Sequence, residues 1–167
     1  MADAVTIRPA TSADCSTLLT LIKSCADFHG NLHKVKLDEK TLLEDGFGEN
    51  PRFTCALAET KDNNGEVQCI GHVLYSEYYA CLVGRSLFMD HLYVKEGYRR
   101  LGVGRAFMKH VSHDALRRGV EKVCWSTADW NTNAIGFYKQ HGGEVWNGWS
   151  TFQLSKDAMV SLVESTT

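Results

Sequence analysis

Three strand-like segments follow one another along this chain with no helix between them, at residues 53–59, 67–75 and 86–94. The turn residues Asp-Asn-Asn-Gly at 62–65 join the first two segments, which predicts an antiparallel meander. An amphipathic helix is predicted next, over 103–118, because apolar residues recur there at helical spacing. The sheet is therefore expected to begin as a meander and to acquire helix crossovers later.

Further segments are predicted on both sides of this meander. Residues 5–9 are typical of a short strand that Pro9 ends. The remaining predicted elements are a helix from Thr11 to about Phe28, a helix over 38–46, a strand over 121–128, a helix from Asn131 to about His141, a strand near 149–154 and a C-terminal helical segment. The order βααβββαβαβ predicts a mixed α/β (α+β) fold, with helices on both faces of a mixed sheet. We expect a single domain over residues 1–167.

Composition excludes several classes of protein. With 44% hydrophobic and 23% charged residues the chain is expected to fold, and its net charge of −2 gives no positive field for nucleic acid. No apolar run approaches the roughly 20 residues that cross a membrane. The six cysteines never form a CxxC pair and mostly have apolar neighbours, which predicts buried, reduced thiols in a cytoplasmic protein. His110 and His113 lack a ligand partner, so no metal is expected.

A glycine-containing loop lies between the strand that ends near Val94 and the helix over 103–118. Its sequence is Arg-Arg-Leu-Gly-Val-Gly at 99–104. Glycines without a Cβ let phosphate oxygens approach the main chain, and a helix N-terminus adds partial positive charge. The spacing is neither that of a P-loop nor that of a Rossmann turn. A GxG pair alone is also compatible with glycines that serve only the turn.

The segment MDHLYVKEGYRRLGVGRAFM resembles the acetyl-CoA loop of the GNAT acetyltransferases, whose signature is [RQ]xxGx[GA]. Three further segments, IRPATSADCSTLLTLIK, LLEDGFGENP and ADWNTNAIGFYKQHGG, resemble the spermidine/spermine and thialysine acetyltransferases. The likeness runs from about residue 5 to 154. It implies a GNAT fold, acetyl-CoA as cosubstrate, and acetyl transfer to a small primary amine by direct attack in a ternary complex.

The resemblance also implies catalytic roles. Tyr138 occupies the position of the general acid that protonates the departing sulfur. Asp90 occupies the position at which relatives usually carry a glutamate, the water-assisted base. His91 is the alternative base, since an ordinary imidazole titrates nearer neutral pH. Taken alone, Tyr138 in its GFYKQ helix is more typical of a core or interface tyrosine than of a catalytic one.

Cofactor contacts follow from the same resemblance. Backbone groups of one strand end would hold the pantetheine arm, the glycine loop would hold the pyrophosphate, and the segment after the predicted strand over 121–128 would lie near the pantetheine and the adenine. Asn131 is also typical of a simple helix cap. The implied residues are Leu92, Tyr93, Val94, Arg99, Arg100, Leu101, Gly102, Val103, Gly104, Arg105, Asn131, Asn133, Ala134 and Tyr138.

The amine pocket departs from the pattern of the polyamine enzymes. Acidic residues expected there are replaced by Phe28-His29, by Ala80-Cys81-Leu82 and by Asn147 before Gly148. Fewer carboxylates should weaken the binding of a polycation. We therefore expect a short diamine or an amino acid such as thialysine, lysine or glycine. The expected substrate-binding residues are Phe28, His29, Asp90, Trp125, Ser126 and Asn147.

The carboxylate of an amino-acid substrate is expected to meet His29, His33 or Lys34, although each of these is also typical of an exposed loop. Two other functions stay open: a protein or peptide N-acetyltransferase, and a CoA-binding interaction module without catalysis. The Tyr138 and RxxGxG matches favour an enzyme. The resemblance also implies a homodimer, in which residues 28–36 and the C-terminal segment complete the partner's pocket.

Overall fold

The computed structural model describes residues 5–148 and 150–165. The strands are β1 (Thr6–Pro9), β2 (Thr54–Lys61), β3 (Val67–Ala80), β4 (Gly84–Val94) and β5 (Lys122–Trp125). The helices are α1 (Cys15–Phe28), α2 (Glu39–Phe47), α3 (Val103–Arg117), α4 (Thr132–Gln140) and α5 (Lys156–Glu164). These elements form two compact units, one that ends at Ala128 and one that begins at Asp129. A single domain stays a prediction.

The first unit contains a five-stranded sheet in the order β1-β2-β3-β4-β5. Strands β1 to β4 are mutually antiparallel, and β5 joins β4 in parallel. The predicted meander and mixed sheet are confirmed. Strands β3 and β4 extend further toward their shared turn than predicted, with Ala80 paired to Gly84. The hairpin is therefore longer than its apolar segments alone indicate.

Helices cover both faces of this sheet, as expected. On one face, Leu18 and Leu21 of α1 and Leu42 of α2 pack in one cluster with Leu57 of β2. On the other face lies α3, where the Tyr75 hydroxyl donates to Asp114 Oδ2 at 2.9 Å. The sheet thus divides the first unit into two apolar layers.

Gly71 of β3 allows the close approach of neighbouring atoms on the α3 side. A Cβ at this residue would lie 2.5 Å from the Tyr93 carbonyl oxygen and 3.3 Å from the Phe107 ring. Phe107 is completely buried. Glycine is required here by space rather than by dihedral angle, because only a hydrogen fits.

Local signals in the sequence explain where the helices begin. Thr11 and Asp14 form the expected capping box, which leads through a short 3-10 turn into α1. The Asp38 carboxylate accepts from the Thr41 amide at 2.7 Å at the start of α2. Helix α2 passes through Gly46, which was expected to end it, and stops at Phe47.

Among the described residues, no helix has both the length and the apolar character needed to cross a membrane.

Two predicted strands differ from the structure. Strand β5 ends at Trp125, so residues 126–128 of the predicted strand are not part of the sheet. The strand predicted near 149–154 is wrong over 150–154, which carry no strand. Trp149 lies outside the described residues. A strand needs a hydrogen-bonded neighbour, and within the described part of the chain no strand pairs with residues 150–154.

The cysteines follow the prediction with one exception. All six are free; Cys15, Cys25 and Cys55 are buried, and two others are partly buried. Cys81 is exposed, contrary to the expectation of buried thiols. It lies directly after the end of β3, in the turn of the long hairpin, and a turn residue is solvated on most sides.

Candidate functional site

Strand β4 leaves the regular ladder at Asp90. On β3, Leu74 pairs with His91 and Tyr75 pairs with Met89, so Asp90 is the extra residue of a β-bulge. On the other edge, β5 pairs with β4 only from Ser86 to Met89. Beyond Met89, the backbone of β4 therefore has no β5 partner on that edge. The Asp90 side chain is exposed at this point.

The glycine loop begins where β4 ends. The Arg99 Nε–H donates to the Val94 carbonyl oxygen at 3.0 Å, and its guanidinium lies 4.6 Å from the centre of the Phe28 ring. These contacts attach the loop to β4 and to the end of α1. Arg99 thus has a structural role in the loop, beside the expected phosphate contact.

Left-handed backbone shapes the rest of the loop. Arg100 has φ of 67° although it carries a side chain, and Gly102 has φ of 84°. Gly102 is the N-cap of α3, so the first amides of this helix have no partner within it. A Cβ on Gly102 would find no atom within 4 Å, which means that the space beside it is open. These features fit the pyrophosphate of acetyl-CoA, because a positive helix end and unpaired amides favour an anion.

The loop side chains differ in their exposure. Val103 is buried at 1% exposure, so only its backbone is available to a ligand. Gly104 is partly buried, whereas Leu101, Arg100 and Arg105 are exposed. The two exposed arginines place positive charge beside the helix N-terminus, as the expected phosphate contact requires.

A pair of histidines lies beside the bulge, on neighbouring strands. His72 of β3 is completely buried, and its Nε2 lies 3.3 Å from Nδ1 of His91. Burial, together with the neighbouring His91, lowers the pKa of His72 to about 3. The pKa of His91 is also lowered, chiefly by burial and further by His29, while Asp90 opposes the shift. Both imidazoles are therefore neutral at pH 7.

His72 belongs to none of the motifs described above. The signal was a histidine within the apolar run VQCIGHVLY, next to the strand that carries Asp90 and His91. Which strand position faces His91 depends on the β3–β4 register and its bulge. That register could not be read from either segment alone.

The end of α1 contributes Cys25 and His29. Burial raises the pKa of the Cys25 thiol to about 11, so this group is protonated and a poor nucleophile. His29 lies with its Nδ1 2.9 Å from the Cys25 carbonyl oxygen, and its ring meets the Phe28 ring edge-on at 5.1 Å. The expected substrate residues Phe28 and His29 thus form one aromatic contact, and Phe28 also contacts Arg99.

The remaining expected residues of the first unit lie along the open edge and at the end of β5. Leu92, Tyr93 and Val94 are all partly buried on β4. Trp125 is partly buried at the last position of β5, and Ser126 follows it exposed. Across the described ranges, no group of three or more His, Cys, Asp or Glu side chains is arranged to hold a metal.

The second unit carries the other expected residues. Asn131 accepts from the Ala134 amide at 3.2 Å and caps α4, so its structural role is confirmed. Tyr138 is partly buried on α4, with its ring 5.1 Å from the Phe137 ring. Asn133 and Asn147 are exposed. Their functional roles stay predictions.

Two comparisons of sequence identify relatives of this chain. The family model described as "Acetyltransferase (GNAT) family" matches residues 18–142. The mouse thialysine N-epsilon-acetyltransferase is 35% identical over 162 residues, which cover 93% of this chain and 95% of that protein. The human spermidine/spermine N(1)-acetyltransferase-like protein 1 is 30% identical over 93% of this chain and 23% of its own length.

Solved structures share the fold at low sequence identity. An integron cassette protein from the mobile metagenome of V. cholerae superposes with a TM-score of 0.76 and 19% identity, over 96% of this chain and 98% of that one. The aminoglycoside N-acetyltransferase AAC(6')-Iy in complex with CoA superposes with a TM-score of 0.72 and 17% identity, over 92% and 97% of the two chains. The fold, the sequence match and the glycine loop agree: the chain belongs to the GNAT acetyltransferase family.

Proposed function

We propose that this GNAT acetyltransferase moves the acetyl group of acetyl-CoA to the primary amine of a small substrate, by direct attack in a ternary complex. The observation that carries this proposal is the β4 edge, which opens at the Asp90 bulge and leads into the left-handed Gly102 loop. This continuous run of backbone suits an elongated cofactor with a pyrophosphate. The family match over residues 18–142 supports the same activity.

The residues along the open edge would bind and orient the cofactor. Leu92, Tyr93 and Val94 would offer backbone groups to its pantetheine arm, and residues 99–105 would hold its pyrophosphate. Asn133 and Ala134 would lie nearer its distal parts. Acetyl-CoA supplies the activated thioester carbonyl. A backbone N–H of the open edge would stabilise the charge that develops on the carbonyl oxygen during attack.

Two side chains would move protons. The substrate amine is protonated at pH 7, because an alkyl ammonium has a pKa near 10, so it must lose a proton before attack. Asp90 is solvent-exposed, and its carboxylate would accept this proton through a water molecule. The amine nitrogen then bonds to the carbonyl carbon, and the carbon–sulfur bond breaks. Tyr138 would donate its hydroxyl proton to the departing thiolate. The nitrogen loses its second proton as the amide forms, and this proton would return through water to the Tyr138 phenolate.

The proposed substrate is an amino acid with a side-chain amine, and thialysine is the first candidate. The 35% identical mouse relative is named for thialysine, and it matches nearly the whole chain. Lysine, glycine and short diamines are the further candidates. Phe28-His29 and the exposed His33 and Lys34 near the end of α1 would suit a carboxylate better than an ammonium group. Trp125, Ser126 and Asn147 stay predicted substrate-binding residues.

We further propose a cytoplasmic homodimer. Phe152 is 91% exposed and Val163 is 86% exposed in the second unit, and such large apolar side chains are commonly covered in an assembly. All six cysteines are free, as expected in a reducing compartment.

The activity is tested by thiol release from acetyl-CoA with thialysine, with mass spectrometry of the product for one added acetyl group. We expect turnover by the wild-type protein. Tyr138→Phe should lower kcat by about 10²-fold, because it removes a general acid, with a much smaller change in the Kd for CoA. Tyr79→Phe is the matched control, since this tyrosine is 74% exposed on β3. CoA binding without acetyl transfer to any small amine would instead support a non-catalytic binding module.

A further inference from the structure

His72 is a fully buried imidazole with one nitrogen engaged and one not. Its Nε2 lies 3.3 Å from Nδ1 of His91. Its Nδ1 has no hydrogen-bond partner within the part of the chain that the structure describes. Burial holds its pKa at about 3, so the ring is neutral at any physiological pH. A neutral imidazole has one N–H and one bare nitrogen, and the position of that single proton determines what His91 can do.

The surroundings determine where the His72 proton lies. With the proton on Nδ1, a buried N–H would point at no acceptor, which native structures rarely tolerate. With the proton on Nε2, the N–H donates to His91, and only a lone pair is left unpaired. The second arrangement leaves the less costly group unsatisfied. It requires a bare Nδ1 on His91, because two N–H groups cannot share the 3.3 Å contact.

We propose that His72 is a positioning residue that donates its Nε2–H to Nδ1 of His91 and thereby keeps the His91 proton on Nε2. His91 then presents an N–H to the site and acts as a hydrogen-bond donor, not as a base. The tautomer assignment itself does not depend on the proposed acetyl transfer. Only its catalytic consequence rests on that proposed function. Asp90, the neighbouring exposed carboxylate, is left as the group that takes the amine proton.

The charged and titratable groups around His91 agree with a neutral donor. Burial lowers its pKa most, the His29 charge lowers it further, and Asp90 raises it. A cationic His91 would carry a proton on Nδ1 as well, directed at the Nε2–H of His72. It would therefore force His72 into the tautomer with the orphaned N–H. His72 thus opposes both protonation of His91 and its other neutral tautomer.

Long-range ¹⁵N–¹H NMR of the histidine rings tests this assignment without any substrate. At about pH 8.5, two units above the ordinary histidine pKa, wild-type His91 and His72 should each show a protonated Nε2 and a bare Nδ1. His29 and His141 are internal controls with the opposite pattern. Their Nδ1 atoms lie 2.9 and 2.8 Å from backbone carbonyl oxygens, which can only accept. A protonated Nδ1 on His91, alone or in a mixture of tautomers, would overturn the assignment.

Two variants separate positioning from packing. His72→Gln retains an amide N–H that can donate to His91, whereas His72→Leu fills a similar space without a donor. His72→Gln should keep the wild-type His91 pattern, and His72→Leu should change it to a mixture and lower kcat about tenfold with little change in KM. Equal His91 patterns in the wild-type and Leu proteins would refute the proposal. If the Leu variant does not fold, the wild-type spectrum and the Gln variant still decide.

The ring NMR spectrum and the activity assay test this inference and the proposed function separately. The predicted ring pattern in a protein that acetylates no amine would contradict the acetyl transfer alone. An active enzyme with Nδ1 of His91 protonated would contradict the positioning role alone.

Discussion

Asp90 and His91 are neighbours in the chain, yet their surroundings give them different chemistry. Asp90 is the exposed extra residue of the bulge, whereas His91 lies partly buried against His72. Successive residues of a strand point to opposite sides, and the bulge adds a local change of direction. The sequence alone left both as candidates for the base. The buried contact to His72 is what favours Asp90.

Asp90→Asn tests the base directly. This substitution keeps the size of the side chain and removes its ability to accept a proton. We expect kcat/KM to fall by about 10²–10⁴-fold, the usual contribution of general acid–base catalysis. Steady-state thiol release with thialysine gives the rate, and calorimetry with CoA gives the affinity, which should not change.

Asp90→Glu is the matched control for that loss. It restores a carboxylate and should retain more activity than the Asn variant at every pH. Equal activity in Asp90→Asn and wild type would mean that water alone, or another group, removes the amine proton.

Strand β4, its bulge and α3 form the edge that is proposed to bind acetyl-CoA. Gly102 takes φ of 84° at the N-cap of α3, beside open space. We expect Gly102→Ala to destabilise the fold by about 1–2 kcal/mol, because a Cβ disfavours left-handed backbone. It should also raise the Kd for CoA about tenfold, since the new methyl group enters the space available to phosphate oxygens. Isothermal calorimetry and denaturant unfolding measure the two effects.

Gly65 provides the control for backbone strain. It has φ of 83° in the turn between β2 and β3, with no atom near the position of a Cβ. Gly65→Ala should therefore destabilise the fold by a similar amount while leaving the Kd for CoA unchanged. Equal losses of CoA affinity in both variants would mean that strain, not occupancy of the loop, explains the effect.

An ion-pair group connects β1, the capping turn and β2. Arg8 contacts Asp14 at 2.8 Å and Glu59 at 2.7 Å. The hydrogen bond from Arg8 holds the pKa of Asp14 well below its usual range. The folded state therefore binds the Asp14 proton more weakly than the unfolded state. The resulting stabilisation is complete above the unfolded pKa, near 4, and is lost as the pH falls below it.

Asp14→Asn should consequently lower the free energy of unfolding by about 1 kcal/mol at pH 7. The difference from wild type should shrink below about pH 4, because the unfolded wild-type chain then binds a proton at Asp14 that the folded state still binds weakly. Denaturant unfolding at several pH values measures it. Glu44→Gln is the control, because its pair with Lys40 is highly exposed and 3.8 Å long, and it should change stability little. A difference that stayed constant with pH would contradict the ion-pair explanation.

The elements also show how far the sequence could predict this structure. Apolar alternation and helical spacing identified β2, β3, β4 and α3, because these signals are local and strong. The strand expected near 149–154 was wrong over 150–154, since pairing depends on a neighbour that no local pattern supplies. His72 was missed for a related reason: its partner is set by the β3–β4 register.

We expect the whole molecule to assemble as a homodimer. The wild-type protein should sediment at micromolar concentration with twice the chain mass of 18.7 kDa. Phe152→Ser should shift it toward the monomer, because it removes a large exposed apolar side chain from the proposed interface. Leu82→Ser is the control, since Leu82 is 90% exposed in the first unit. A wild-type monomer at all concentrations would contradict the homodimer.

The choice of substrate is expected to depend on the charge of the amine pocket. The resemblance implies acidic substrate-binding residues in the polyamine enzymes at the positions where this chain carries Phe28-His29 and Asn147. A substrate with several ammonium groups would lose its solvation there with few carboxylates to compensate. An amino acid with a single reactive amine and a carboxylate avoids that cost.

The most direct test is kcat/KM by thiol release from acetyl-CoA, measured in parallel for thialysine, lysine, glycine, 1,3-diaminopropane, spermidine, spermine and a peptide. We predict the highest value for thialysine, with another amino acid or the short diamine next and spermine well below. A kcat/KM for spermine equal to or above those of every amino acid and short diamine would contradict the proposed choice of substrate.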